Sequence, residues 1–171
     1  MNPNDRFLKP KFENIPEELK ALPWAVWKAE PRAGQPGKFN KAPRSPKNGY
    51  RIGADKPNLF GTYVEAVAAY SCGYFTGVGV LLTGNGIVGV DIDDAKETLK
   101  NDQAIREWLK RAVSSGAYVE RSPSNTGLRL FLEGETIKRG SKRGKLEIYH
   151  DLRFITVTGH LLKPQSIAGA K

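Results

Sequence analysis

The chain has 171 residues, of which 39% are hydrophobic and 26% are charged, values typical of a globular protein with a sizeable core. No apolar run reaches the roughly 18 residues of a membrane span, and residues 1–10 lack the apolar core of a signal peptide, which predicts a cytoplasmic protein. The single cysteine, Cys72, excludes an internal disulfide framework and a zinc site built from cysteines.

The net charge of +9 is distributed unevenly along the chain. Residues 1–56 carry 12 basic against 6 acidic side chains, residues 57–120 carry 5 against 8, and residues 121–171 carry 10 against 4. Basic flanks around an acidic centre suit a protein that holds a polyanion while its carboxylates hold cations. A solubilising surface is the alternative interpretation of the same pattern.

The N-terminal third contains a short helix–strand segment that is followed by a long basic segment. A helical turn is predicted near Leu19, followed by a strand over residues 24–28. Residues 31–58 are rich in proline, glycine and basic side chains, which predicts a long basic loop. A loop of that length inside a compact domain is usually functional or disordered.

The remainder alternates between helix and strand signals. Thr62 and Glu65 form a capping box that predicts a helix to about Ser71. Gly84-Asn85-Gly86 separates two β-rich runs and predicts a hairpin between them. A second helix is predicted over about 102–114. The predicted strands of this part cover residues 77–82, 87–93, 117–121, 128–132, 146–150 and 153–158.

These elements predict an α+β fold with a largely antiparallel sheet, because four or more strands and two helices occur without regular βαβ alternation. The predicted organisation is a flexible N-terminal arm over residues 1–15, one domain over residues 16–163, and a C-terminal tail or the start of a linker over residues 164–171.

The segment Gly89-Val90-Asp91-Ile92-Asp93 is the first candidate site. Alternation along a strand places Asp91 and Asp93 on one face and Val90 and Ile92 on the other. Two like charges so close repel unless a cation lies between them, and oxygen-only ligands suit Mg²⁺ or Mn²⁺. A solvated acidic strand end is the alternative.

Glu147 is the candidate third carboxylate. It alternates with Leu146 and Ile148, so it faces away from the predicted core. If its strand neighbours that of Asp91 and Asp93, three carboxylates meet on one face, as a site for two divalent ions requires. A surface ion pair with one of the basic residues at 138–145 is the alternative.

Residues 121–127 (RSPSNTG) lie between two predicted strands, and their small side chains allow backbone N–H groups to approach phosphate oxygens. An ordinary hairpin turn is the alternative. Arg129 follows on the strand face opposite Leu128 and Leu130, where a guanidinium that meets a phosphate would be stabilised. Lys41 and Arg153 are further candidates for phosphate contacts, with solvated charge as the alternative for each.

Six segments in order resemble the prim-pol branch of the archaeo-eukaryotic primase superfamily, the bifunctional DNA primase/polymerases of phages, plasmids and other mobile elements. The resemblance covers about residues 15–162. The segments are LPWAVWKAEPR, GKFNKAPRSPKNG, LFGTYVEAVAAY, GVGVLLTGNGIVGVDIDD, ERSPSNTGLRLFLEG and LEIYHDLRFITVTGH.

The resemblance implies an RRM-like catalytic sheet beside an N-terminal α/β module. It also implies two Mg²⁺ or Mn²⁺ ions, NTP or dNTP substrates, a DNA template with its primer, and a helicase-type ATPase in the same or another chain. By position, Asp91, Asp93 and Glu147 match the family's catalytic, metal-binding carboxylates. The positions implied at the nucleotide are Lys41, Ser122, Ser124, Asn125, Thr126, Gly127, Arg129 and Arg153.

Arg129 departs from the family pattern, whose second motif usually ends in a histidine that contacts the incoming nucleotide. An arginine binds phosphate as a permanent charge and does not titrate near neutral pH. The first hypothesis is therefore template-directed nucleotidyl transfer. A catalytically impaired replication-initiator or DNA-binding module on the same fold is the second, and a metal-dependent nuclease is the third.

Overall fold

The computed structural model describes residues 3–134 and 140–162. Within them, four α-helices and eleven strands are joined by turns and three short 3-10 helices. The helices are α1 (Glu17–Lys20), α2 (Tyr63–Ser71), α3 (Ala95–Asn101) and α4 (Gln103–Ser114). The strands are β1 (Trp24–Trp27), β2 (Glu30–Pro31), β3 (Phe39–Asn40), β4 (Pro43–Arg44), β5 (Gly77–Thr83), β6 (Ile87–Ile92), β7 (Tyr118–Arg121), β8 (Leu128–Glu133), β9 (Gly140–Arg143), β10 (Leu146–Tyr149) and β11 (Asp151–Val157).

The strands form three antiparallel sheets. The first sheet has the order β11-β5-β1-β4, the second has the order β7-β8-β6-β10-β9, and β2 pairs with β3 in a two-stranded ribbon. Every strand pairing is antiparallel. The predicted α+β class with antiparallel pairing is confirmed.

The first sheet packs against α2. The capping box is present: the Thr62 hydroxyl accepts from the Glu65 N–H while the Glu65 carboxylate accepts from the Thr62 N–H. Trp24 and Val26 on β1 are fully buried in the same core as Ala66 of α2. The strand and the helix predicted for this region are therefore both confirmed.

The second sheet packs against α3 and α4 and forms a separate hydrophobic core with them. Asp102 caps α4, because its side chain accepts from the Ile105 N–H at 3.0 Å. Ile105 and Leu109 are buried against Val90 and Leu130 of the sheet. Because side chains alternate along β6 and β8, the opposite face of this sheet is left for Asp91 and Arg129.

The predicted hairpin between the two β-rich runs is wrong. β5 pairs with β1 and β11, and β6 pairs with β8 and β10, so both edges of each strand are already occupied. Gly84 and Gly86 have φ values of 75° and 81°. These conformations, which favour glycine, turn the chain from the first sheet into the second.

The two sheets contact each other closely at Gly89 of β6. A Cβ atom at this position would lie 2.3 Å from Ile155 Cδ1 and 3.0 Å from Leu82 Cδ1. The absence of a side chain therefore allows β6 to approach the first sheet. This approach places β11 beside the polar face of the second sheet.

We expect Gly79→Ala to destabilise the fold more than Gly89→Ala. A Cβ at Gly79 would lie 2.4 Å from the backbone oxygen of Ile155, which cannot move without disturbing β11, whereas the Ile155 side chain facing Gly89 can change rotamer. Overpacking of this kind costs about 1–3 kcal/mol. Urea unfolding of the two variants measures the difference, and an equal or reversed order would contradict it.

Residues 7–15, expected to belong to a flexible arm, pack against the body of the domain. Phe7 and Ile15 are buried. The Leu8 N–H donates to Pro123 O at 2.9 Å, and the Lys11 N–H donates to Thr158 O at 2.8 Å. The apolar side chains and these backbone bonds explain why this segment is part of the folded unit. The predicted tail at 164–171 lies outside the described residues.

Three short strands lie in or beside the predicted basic loop, and α3 and β9 were not predicted. The loop contains β3, β4 and the end of β2, each two residues long, so no alternation marks them in the sequence. The pairing of β2 with β3 forms the ribbon, which lies beside the polar face of the second sheet. No helix among the described residues is both long and apolar enough to cross a lipid bilayer.

Candidate functional site

A row of charged side chains crosses the second sheet on its polar face. In register, Asp91 of β6 lies opposite Arg129 of β8 on one side and Glu147 of β10 on the other. The row continues to Glu120 of β7 beyond Arg129 and to Lys142 of β9 beyond Glu147. Side chains directly opposite each other lie close together, so the sheet itself assembles this constellation.

A cleft of about 340 Å³ lies where this row faces β11 and the β2–β3 ribbon. It brings together three carboxylates and four basic side chains. The acidic residues of the lining are Asp91, Asp93 and Glu147, and the basic ones are Arg32, Lys41, Arg129 and Arg153. Its remaining lining is Phe39, Tyr149, Phe154, Ile155 and Thr156. Six of the predicted site residues therefore share one cleft.

Arg129 is the central cation of the cleft. Its residue is only 9% exposed, and its Nη2 lies 3.2 Å from Asp91 Oδ2. Its Nη1 donates to the Thr156 hydroxyl of β11, while its Nε has no hydrogen-bond partner. Arg129 thus links the two sheets and neutralises one oxygen of Asp91.

The aspartate pair retains negative charge that Arg129 does not cancel. Asp91 Oδ1 is buried without a hydrogen-bond partner. Partial desolvation raises the pKa of Asp93, and the charges of Asp91 and Glu147 raise it further, against the opposing effect of Arg129. An unsatisfied carboxylate oxygen beside a second carboxylate is the environment that a hard cation stabilises.

Glu147 is held by neighbours on its own sheet. Its Oε1 lies 2.5 Å from Lys142 Nζ, and its Oε2 accepts from the Tyr149 hydroxyl. These two bonds lower the pKa of Glu147. Burial and the bond to Glu147 raise the pKa of Tyr149 to about 12, so the phenol stays protonated at neutral pH. Arg153 lies over the Tyr149 ring at 4.1 Å from its centroid.

Lys41 enters the cleft from the segment after the ribbon. Burial lowers the pKa of its ammonium group, and the nearby charge of Arg129 lowers it further. Its Nζ lies 5.6 Å from the centre of the Phe7 ring. A cation that is partly desolvated beside another cation is stabilised by an anionic ligand.

The donor set fits a divalent cation in part. Asp91 and Asp93 supply oxygen ligands, and the buried Asp91 Oδ1 is free to bind one. Across residues 3–134 and 140–162, no three His, Cys, Asp or Glu side chains are arranged to hold a metal ion together. Glu147 is occupied by Lys142 and Tyr149, so its joining the aspartates requires these two contacts to open.

The predicted phosphate loop lies at the end of β6 and outside the cleft lining. It is the hairpin loop between β7 and β8, as the alternative interpretation proposed. Its hydroxyl groups bond to one another, with 3.2 Å between Ser122 and Ser124 and 2.9 Å between Ser124 and Thr126. Asn125 accepts from Arg121 at 3.2 Å.

Gly127 holds this loop close to the aspartate pair. A Cβ at Gly127 would lie 2.7 Å from Ile92 O, one residue before Asp93. In addition, Thr126 O accepts from the Ala95 N–H at 2.8 Å. The loop therefore flanks the start of α3 beside Asp93, and its serine and threonine hydroxyls do not reach into the cleft that contains Arg129.

Several cleft residues were missed in the sequence. Tyr149 follows Glu147 by two positions on β10, so strand alternation could have found it. Thr156 could not be found in this way, because its contact with Arg129 joins two different sheets. Arg32 and Phe39 lie in the irregular basic segment, which has no periodic signal.

No protein-family model matches the chain, and no curated protein matches it significantly.

Proposed function

We propose that this chain is the catalytic domain of a DNA primase–polymerase of a phage, plasmid or other mobile element, with the archaeo-eukaryotic primase fold. The observation that carries the proposal is the register of the second sheet, which sets Arg129, Asp91 and Glu147 side by side on one face of three adjacent strands. In this proposal the second sheet, with α3 and α4 on its other face, is the RRM-like catalytic sheet. The first sheet and α2 are the N-terminal α/β module, to which the C-terminal strand β11 also contributes.

The carboxylates are proposed to hold two Mg²⁺ or Mn²⁺ ions. Asp91 and Asp93 are the principal ligands, and Glu147 joins them when it leaves Lys142. The chemistry that such ions supply is activation of a primer 3′-hydroxyl and neutralisation of the leaving pyrophosphate. The cleft's own contribution is to hold Asp91 and Asp93 beside each other before an ion binds, with Glu147 on the adjacent strand.

The basic side chains are proposed to bind the triphosphate of an NTP or dNTP. Arg129, Lys41 and Arg153 line the same cleft as the carboxylates. The guanidinium fork of Arg129 matches two phosphate oxygens once it exchanges its bonds to Asp91 and Thr156 for them. Lys41 gains an anionic neighbour on binding. The loop at Ser122–Gly127 is proposed to contact the nucleotide at the β6 end of the cleft, once its hydroxyl groups exchange their mutual bonds.

A replication-initiator or DNA-binding module without catalysis is the second candidate, and one observation favours it. In the Arg129–Asp91 ion pair, with 3.2 Å between the charged atoms, the guanidinium occupies a carboxylate oxygen that a metal ion would need. If this pair persists when nucleotide binds, the carboxylate row stabilises the sheet and performs no chemistry.

Primer extension with Mg²⁺ or Mn²⁺ distinguishes these two functions. We expect the wild type to extend a primer on a DNA template. At saturating nucleotide, where the lost phosphate contact of Arg129 no longer limits the rate, we also expect Arg129→His to extend it faster, because a neutral imidazole releases Asp91 to bind a cation. Absence of extension in both proteins across ribonucleotides and deoxynucleotides, with salt-dependent DNA binding retained, would establish the binding module instead.

A further inference from the structure

Two tyrosine rings are exposed on the surface, one within the basic segment of residues 31–58 and one near it. Tyr50 is 74% exposed and Tyr74 is 57% exposed. An exposed tyrosine offers an apolar ring face next to a polar hydroxyl, a combination that is enriched at binding surfaces. Neither ring lines the cleft of Asp91 and Arg129, so the proposed catalytic site does not explain them.

The two rings belong to turns that contact each other. The first turn is closed by a bond from the Ser45 N–H to Tyr50 O at 2.8 Å. Gly49 of this turn lies against the Phe75 ring, since a Cβ at Gly49 would lie 3.5 Å from Phe75 Cζ. Tyr50 and Tyr74 are thus each one residue away from the contact that joins the turns.

Basic side chains are frequent in the chain that carries or adjoins the two rings. Residues 28–56 contain eight basic and two acidic side chains. One of those acids, Glu30, is already neutralised by Arg44 at 2.6 Å and by Arg51 at 2.9 Å. Lys28 lies over the Tyr74 ring, 3.6 Å from its centroid, and Lys47 is exposed in the Tyr50 turn. The surface therefore has a surplus of positive charge next to exposed aromatic rings.

This surface is connected to the cleft by the same stretch of chain. Arg32 and Lys41 line the cleft, and Arg44 follows on β4. Arg44 also donates to Gly49 O at 3.0 Å, which anchors the Tyr50 turn. The chain that lines the cleft at Arg32 and Lys41 therefore leads directly along the sequence to the Tyr50 turn.

We propose that single-stranded nucleic acid docks on the tyrosine face, defined as Lys28, Lys47, Tyr50, Arg51 and Tyr74. Unpaired bases stack on Tyr50 and on the face of the Tyr74 ring that Lys28 does not cover. The phosphates lie against Lys28, Lys47 and Arg51, the last of which also pairs with Glu30. This inference rests on the proposed function: the unpaired template strand would run along the tyrosine face beside the cleft. Alternating rings and cations is the arrangement by which proteins bind single strands without reading their sequence.

Single strands are favoured over duplex DNA and over acidic protein by the chemistry of the face. Duplex bases are stacked on each other and offer no free ring face to Tyr50 or Tyr74. An acidic peptide would satisfy the cations, but it carries no planar groups to cover the two tyrosines. The rings therefore identify the ligand class, and the cations supply its salt dependence.

The test is fluorescence anisotropy of a labelled oligothymidylate with the whole chain. We expect Tyr50→Ala with Tyr74→Ala to weaken binding by about a hundredfold, since each stacked base contributes roughly tenfold. Tyr50→Phe with Tyr74→Phe should retain binding, because phenylalanine keeps the ring. Lys47→Gln with Arg51→Gln should reduce the slope of log affinity against log salt by about 1.4.

Matched controls separate this face from a general effect of surface changes. Val64→Ala removes another exposed apolar side chain, and Lys110→Gln with Arg111→Gln removes two cations from α4. Both should bind the oligonucleotide as the wild type does. Binding that the tyrosine-to-alanine pair leaves within about twofold of the wild type, or no wild-type binding at all, would overturn the proposal. So would equal competition by duplex DNA or polyglutamate.

Failure of this inference is distinguishable from failure of the proposed function. A protein with Asp91→Asn and Asp93→Asn should bind the oligonucleotide normally while losing primer extension. Conversely, tyrosine-dependent binding without extension by either the wild type or Arg129→His would reject the polymerase and retain the docking face. Extension lost in the aspartate variants, with binding independent of the tyrosines, would reject the docking face alone.

Discussion

Replacing Asp91 and Asp93 together by asparagine is expected to slow primer extension by at least about a thousandfold. Divalent ions in such sites supply several kcal/mol of transition-state stabilisation, and about 4 kcal/mol corresponds to a thousandfold in rate. Asparagine keeps an oxygen that accepts from Arg129 but removes the charge that attracts the cation. Single-nucleotide incorporation at saturating Mg²⁺ and Mn²⁺ measures the effect.

The same variant should remain folded. The pKa of Asp93 is raised by desolvation and by Asp91, so ionising Asp93 at neutral pH costs stability that asparagine does not. Asp94→Asn is the matched control: Asp94 is the adjacent carboxylate, exposed and paired with Lys145 at 2.5 Å. Extension that survives the double change, or that is lost equally in Asp94→Asn, would contradict the assignment of the aspartate pair.

The part of the site that lies within one sheet could be predicted from the sequence. Alternation along each strand places Asp91 and Glu147 opposite their apolar neighbours, and it does the same for Arg129. Because the apolar faces of β6, β8 and β10 share one core, the charged faces must lie together. The register then sets the order of the row, which alternation alone does not give.

The part of the site that joins different sheets could not be predicted in this way. The bond between Arg129 and Thr156 depends on how closely β6 approaches β11, which the glycine at position 89 permits. A glycine-rich turn can reverse the chain into a hairpin or carry it from one sheet to another. The sequence of the β5–β6 connection fits both, so the hairpin was predicted where a change of sheet occurs. Which strands occupy the edges of β5 and β6 is decided by residues far along the chain.

The role of Glu120, at the β7 edge of the charged row, could not be predicted from the sequence either. Its neighbours Val119 and Arg121 gave it no distinctive pattern, yet its side chain is fully buried. It accepts from the Gly159 N–H at 2.7 Å and from the Tyr118 hydroxyl at 2.8 Å. It also accepts from the Thr158 N–H at 2.9 Å and 3.0 Å. This carboxyl therefore ties β7 of the second sheet to the chain that leaves β11 of the first.

Glu120→Ala is expected to reduce the free energy of unfolding by about 3 kcal/mol or more. It leaves the N–H groups of Thr158 and Gly159 buried without acceptors, each costing about 1–3 kcal/mol, and it opens a cavity. Glu120→Gln keeps the volume and one acceptor oxygen, so its loss should be smaller. Urea unfolding of both variants measures this order, and equal losses would indicate that only the charge matters.

Stability should also fall as the pH rises from about 4.5 to about 7, and Glu120 should be the cause. Burial raises the pKa of Glu120 to about 7, against the opposing effect of the donors from Tyr118, Gly159 and Thr158. The folded protein therefore keeps this proton where the unfolded chain has released it, which destabilises the fold by up to roughly 3 kcal/mol across that window.

The pH dependence attributed to Glu120 is the difference between wild type and Glu120→Gln. Glutamine does not titrate, so unfolding free energies measured between pH 4 and pH 8 should diverge by this amount for the two proteins. Glu107→Gln, on the exposed face of α4, should leave the pH profile unchanged. A wild-type profile parallel to that of Glu120→Gln would contradict this, since it would mean that the N–H donors offset burial and that folded and unfolded chains bind the Glu120 proton equally.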